Sequence, residues 1–161
     1  MILPTKALIL LALVPALACA KSIYSGKFDY REFKPPEQSF VGRTPADIAR
    51  MCDTGEHASN DDLAQCSHMK FNRASVELSR ELRAVQKGIA RNDTVLRNQG
   101  EPLALPFFNQ AQDSWVKYRD NECYTETYMM GEAAERYIFF WECMATITQH
   151  RVKELVDMLK N

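Results

Sequence analysis

Apolar positions along this chain recur with the spacing of helices. Leu63, Cys66, Phe71, Leu78, Leu82, Val85 and Ile89 fall largely three, four or seven apart. That is the stripe of an amphipathic helix, and it predicts one long element from Ser59 to about residue 90. Ser59 supplies a capping hydroxyl, and Asp61 and Asp62 place negative charge at the helix start, where the macrodipole favours it. The stretch RNDTVLRNQGEP is expected to break the helix, with Gly100 and Pro102 as loop punctuation. A second series, Phe108, Ala111, Trp115 and Tyr118, starts from about Leu103 and continues in register towards Met129, with Gly131 as its stop. A third is the most regular: Ile138, Trp141, Ala145, Thr148, Val152, Leu155 and Leu159 alternate spacings of three and four.

Upstream, Thr44-Pro45-Ala46-Asp47 reads as the start of a short helix reaching Cys52, with a hydroxyl cap, proline at the first helical position and an acid at the third. Residues 21–43 show neither a helical nor a strand period and read as a flexible tether or loosely docked arm. No stretch reads convincingly as a strand, and no internal repeat is visible. The expected fold is all-α: a small antiparallel up-down-up bundle of three long helices plus a short N-terminal helix, spanning residues 44–161.

Residues 1–20 form a different kind of segment. Lys6 precedes an apolar run from Ala7 to Leu17 and then the small residues Ala18-Cys19-Ala20, the layout of an export signal peptide. The run is shorter than the roughly 20 residues a spanning helix needs. Cleavage after Ala20 and acylation of Cys19 through an Ala16-Leu17-Ala18-Cys19 lipobox are both open. The first gives a secreted or periplasmic protein and the second a lipoprotein whose membrane contact is the anchor at Cys19. Removing the signal takes Lys6 from the 20 basic residues and leaves the 21 acidic ones, a charge near −2. That balance argues against a nucleic-acid partner, which asks for a basic stripe.

Export also gives the cysteines a meaning. With Cys19 assigned to the leader, Cys52, Cys66, Cys123 and Cys143 are an even set in an oxidising compartment, and two disulfides are expected. Three pairings are open, and geometry favours one. If the second and third long helices form a hairpin turning near 131–134, Cys123 and Cys143 stand at similar distances on either side of the turn. At about 1.5 Å per residue they reach the same height. Cys52–Cys66 is then the remaining pair. Cys52, His57, Cys66 and His68 also make a C-x4-H-x8-C-x-H set, but that spacing fits no common zinc pattern, and oxidised cysteines cannot ligate as thiolates. No metal or cofactor is expected.

The stretch AQDSWVKYRDNECYTE (111–126) concentrates the remaining chemistry. Trp115, Tyr118 and Trp141 at helical spacing read as core. Arg119 reads as a charged clamp across the hairpin seam, within reach of Asp120, Glu122 or Glu142. Asp120 and Glu122 are two apart and point in different directions, which suits a solvated face better than shared acid–base work. Cys123 is expected to be oxidised and therefore no nucleophile. His57, His68 and His150 lack a triad or HExxH context. The chain is expected not to be an enzyme.

Ala111, Gln112, Trp115, Tyr118, Arg119, Asp120 and Cys123, written A-Q-x-x-W-x-x-[Y/F]-R-D-x-x-C, resemble the LprI-type lysozyme-inhibitor family of bacterial envelope proteins. Cys143, Thr148, Arg151, Glu154 and Leu155 continue the match as C-x4-T-x2-R-x2-E-L, and Cys52 and Cys66 occupy the places of the family's earlier cysteines. The resemblance implies an exported, disulfide-bonded helical domain that binds lysozyme or another peptidoglycan hydrolase. The matched residues read as scaffold. For binding, the hairpin tip MMGEAAE is the candidate, with Met129 and Met130 as adaptable apolar contacts and Glu132 and Glu135 suited to a basic target. A second reading is an envelope interaction protein of another kind, such as an immunity protein or an accessory subunit.

Overall fold

The computed structural model describes Ser22 and residues 24–160; the leader and Cys19 lie outside the described residues. Helices α1 (Pro45–Thr54), α2 (Asn60–Gln99), α3 (Leu105–Met129) and α4 (Arg136–Met158) make up the fold, and the described residues contain no strand. The all-α bundle of three long helices and a short first one is therefore what the chain forms.

Local chemistry sets the helix ends. Thr44 caps α1 by accepting from the Asp47 N–H, and Ser59 and Asp62 form a reciprocal capping box at the start of α2. α2 runs to Gln99, well past the expected break. Arg91–Gln99 contains neither glycine nor proline, so the apolar period fades there without anything to end the helix. Gly100 ends it in the left-handed conformation at φ 76°. The extra turns have a use: Asp93, buried on the last part of α2, accepts from the Ala104 and Leu105 N–H groups, both at 2.9 Å. It thereby satisfies free amides at the start of α3, where no local side chain caps the helix.

α4 is the central element, packing along much of α2 and against α3. At the hairpin end Phe71 of α2, Cys123 of α3, and Phe140, Trp141 and Met144 of α4 form one apolar cluster. Towards the other end Leu78, Val85, Phe108, Val152 and Leu155 form a second. Phe140 and Met144 are fully buried although they lie beside the expected stripe; α4 is wedged between two helices and buries a wider face than one contact requires. Leu159, at the stripe's end, is exposed.

Both favoured disulfides are present. Cys123–Cys143 joins α3 to α4 with Cα atoms 5.5 Å apart, and Cys52–Cys66 joins α1 to α2 at 5.4 Å. Crosslinks of this kind contribute about 2–4 kcal/mol each.

The segment 24–43, expected as a loose arm, is packed against the bundle. Phe28, Tyr30 and Phe33 lie on the cluster around Trp141, with Phe28 5.0 Å from Phe140 and Phe33 5.5 Å from Trp141 between ring centroids. Phe40 is buried with Met51 and Cys66. The arm has no period because its regular elements are single 3-10 turns at Tyr30–Glu32 and Pro36–Gln38, too short to repeat; it runs across the helices and drops aromatic rings into successive gaps.

Candidate functional site

Two places hold the residues singled out by sequence. One is the seam between α3, α4 and the arm; the other is the tip between α3 and α4.

At the seam, Arg119 and Asp120 are both buried, Asp120 at 8 % exposure. The expectation that Asp120 belongs to a solvated face is thus corrected. Arg119 Nε and Nη2 donate to one carboxylate oxygen, Asp120 Oδ1, at 3.0 and 2.7 Å. The other oxygen, Oδ2, accepts from the Tyr30 hydroxyl at 3.1 Å and from Arg31 Nη2 at 3.2 Å. Arg119 Nη1 reaches Thr148 Oγ1 on α4 at 3.5 Å, and the Thr148 hydroxyl donates onward to the Met144 carbonyl at 2.7 Å. The guanidinium also stands 5.2 Å from the ring centroids of both Phe71 and Trp115, a cation–π arrangement. Burial and the neighbouring Asp120 carboxylate push the Tyr30 phenol above its ordinary pKa.

Chemically this network is closed. Asp120 has both oxygens engaged by two guanidiniums and a phenol, so it offers no free base to a substrate. Glu122 is half-buried, and Glu142 accepts from Ser67 at 3.5 Å rather than from Arg119. Gln112 accepts from Arg151 Nε at 3.2 Å, a second tie between α3 and α4, and Arg151 also bonds Glu154 within α4 at 2.8 Å. Trp115 is half-buried against the second apolar cluster. Tyr118, expected in the core, is 55 % exposed; the buried face of α3 passes through 119, 120, 123 and 127, which leaves 118 outside.

At the tip, Met129 is 83 % exposed and Met130 half-buried, while Glu132 and Glu135 are exposed. The reversal is tight: the Met130 and Gly131 amides donate back to Thr127 and Tyr128 carbonyls, and Gly131 takes φ 66°. Beneath it, buried Arg136 donates to the Tyr24 and Gly26 carbonyls and lies over Phe28, Tyr128 and Tyr137. The Phe28 amide donates to the Tyr128 hydroxyl at 3.2 Å. Arm and tip are therefore one unit.

Tyr30, Arg31 and Arg136 were not among the residues singled out by sequence. The signal was present in the composition of the arm: Tyr24, Phe28, Tyr30, Phe33 and Phe40 within 17 residues are too many aromatics for a solvated linker. His68, first weighed as a ligand, stacks on Trp141 at 3.7 Å between ring centroids, and its partners in that set, Cys52 and Cys66, are bound to each other.

The described residues form a disulfide-locked helical domain with a closed charge network and an exposed acidic tip. Residues 52–155 match the family described as lysozyme inhibitor LprI, and the chain belongs to that family. It is also 24 % identical over 111 residues, 68 % of this chain and 80 % of the relative, to an uncharacterized protein of Rhizobium meliloti (strain 1021). No solved structure matches.

Proposed function

We propose that this protein is an exported, non-enzymatic inhibitor that binds and blocks a cell-wall lytic enzyme of the lysozyme class. Membership of an inhibitor family supports the class. The observation that carries the binding mode is the tip, where Met129 stands 83 % exposed on a turn held by the Cys123–Cys143 disulfide and the Arg136 clamp. Such bracing lowers the ordering cost of association. Lysozyme works through two carboxylates in a sugar-binding cleft, and a narrow protruding turn suits a cleft. Glu132 and Glu135 engage in no ion pair among the described residues and remain available to a basic rim.

The chain joins the bundle at this same end, through Tyr24 and Gly26. A lipid anchor at Cys19 would lie only five residues before Tyr24, a reach of at most about 18 Å, and would hold the tip close to the membrane. Tip-first inhibition therefore goes with the form cleaved after Ala20.

The test is lysis of a cell-wall suspension by several lysozyme types, with the oxidised protein and with a variant carrying Met129→Ala, Met130→Ala, Glu132→Lys and Glu135→Lys. Dose-dependent protection that the variant loses by tenfold or more, about 1.4 kcal/mol, is the expected result. Protection unchanged in a folded variant removes the tip from the mechanism; absence of protection by the parent protein removes lysozyme.

A further inference from the structure

α2 carries a charge pattern of its own on the side away from the core. Arg73, Val76, Arg80, Arg83, Lys87 and Arg91 follow one another three or four residues apart, and all are exposed. At about 100° per residue they fall within about 80° of arc, and at about 1.5 Å per residue the row is about 27 Å long. Leu78 and Val85, buried in the second apolar cluster, lie on the opposite side of the helix. The row itself contains no carboxylate. Arg80 holds Glu77 at 3.1 Å and Glu81 at 2.7 Å on its flank, whereas Arg73, Arg83, Lys87 and Arg91 form no ion pair among the described residues. Beyond Glu81 the one carboxylate of α2 is Asp93, which is buried and occupied by the Ala104 and Leu105 amides. Arg83, Lys87 and Arg91, four apart in succession, repel one another and weaken the helix unless an anion lies against them. Lys27, Lys34 and Lys153 also lack an ion pair, but they stand singly on the arm and on α4; α2 sets its cations in line.

We propose that this row docks the protein on an anionic lipid bilayer. A plane touches the whole length of a ridge at once, and each Lys or Arg held near anionic headgroups strengthens binding by about fivefold. A long soluble polyanion is gripped from more than one side, and past the row it meets Glu77, Glu81 and a chain that is acidic on balance. Val76, 72 % exposed within the row, is an apolar group that a bilayer interface accepts and a hydrated polyanion does not. The signal-peptide layout of residues 1–20 also favours a membrane surface over nucleic acid, since an exported chain leaves the genome behind. None of the row residues belongs to the tip, so docking leaves Met129, Glu132 and Glu135 free.

Vesicles of equal parts phosphatidylglycerol and phosphatidylcholine, vesicles of phosphatidylcholine alone, and short duplex DNA are each titrated into the oxidised protein at about 0.05 M and about 0.15 M salt. The anionic vesicles are expected to bind at least about twentyfold tighter than the neutral ones, and less tightly at the higher salt. Arg83→Gln, Lys87→Gln and Arg91→Gln together are expected to weaken that binding about a hundredfold while the thermal melt holds or rises. Lys27→Gln, Lys34→Gln and Lys153→Gln together change the net charge equally and are expected to stay within about threefold of the parent. Equal binding to the two kinds of vesicle, equal losses in the two triple variants, or tighter binding of DNA than of anionic vesicles at the same phosphate concentration would each overturn the proposal. Protection from lysozyme is a separate readout that none of these results presupposes.

Discussion

Acidification should loosen this bundle through His68. The ring is buried, lies flat on Trp141 at 3.7 Å and 9°, and leaves Nδ1 without a hydrogen-bond partner. Burial lowers its pKa to about 4, with Glu37 pulling weakly the other way. Arg31 and Tyr30 border the same cleft and add no second carboxylate. In the unfolded chain the ring titrates near 6.5. Above that value both states are neutral and pH has no effect through this group. Below it the unfolded chain takes up the proton first, so stability falls as pH drops from about 6.5 and levels off below the folded value of about 4. At about pH 5 the loss amounts to about 2 kcal/mol, and the full separation is worth about 3. Urea unfolding at about pH 7.5 and pH 5, on the parent and on His68→Phe, isolates the effect, because phenylalanine keeps the stacked ring and cannot titrate. The parent is expected to lose about 2 kcal/mol more than the variant over that interval. If the two lose equal amounts, His68 is not held neutral by the fold, and the reasoning from its burial fails.

Two further substitutions test the seam and the long second helix. Asp120→Ala strands the buried Arg119 guanidinium and should cost about 3–5 kcal/mol in urea unfolding; a loss under about 1 kcal/mol would mean that the pair is effectively solvated. Asp93→Ala removes the acceptor for the Ala104 and Leu105 amides and should cost about 1–2 kcal/mol, with faster hydrogen exchange at those two amides than elsewhere in α3. Uniform exchange along α3 would deny Asp93 its capping role.

The errors and successes of the sequence reading divide by range. Caps at Thr44 and Ser59 depend on a hydroxyl and an amide three residues on, so they are visible in a short window. The Cys123–Cys143 pairing depends on equal distances from a turn, which counting reveals. Tyr118 went the other way: a helical stripe has two neighbours at its edge, and which of 118 and 119 faces inward is decided by where α4 and the arm press. Asp120 reads as solvent-facing because helix positions two apart, here 120 and 122, point in different directions. What buries it is Tyr30, 90 residues earlier in the chain, and no periodicity in either segment announces that meeting.

By itself, then, the sequence determined the helices, the caps of α1 and α2, the favoured cysteine pairing and the family, since each depends on residues within a turn or two, on counting from a turn, or on a motif carried along one helix. Tertiary structure alone decided that the arm is packed, that the Arg119–Asp120 pair is closed to chemistry, that α2 runs on to cap α3, and that a cavity with an apolar wall opens between α1 and α2. Those outcomes rest on contacts between segments far apart in the chain, where desolvation and shape select among partners that local patterns leave equivalent.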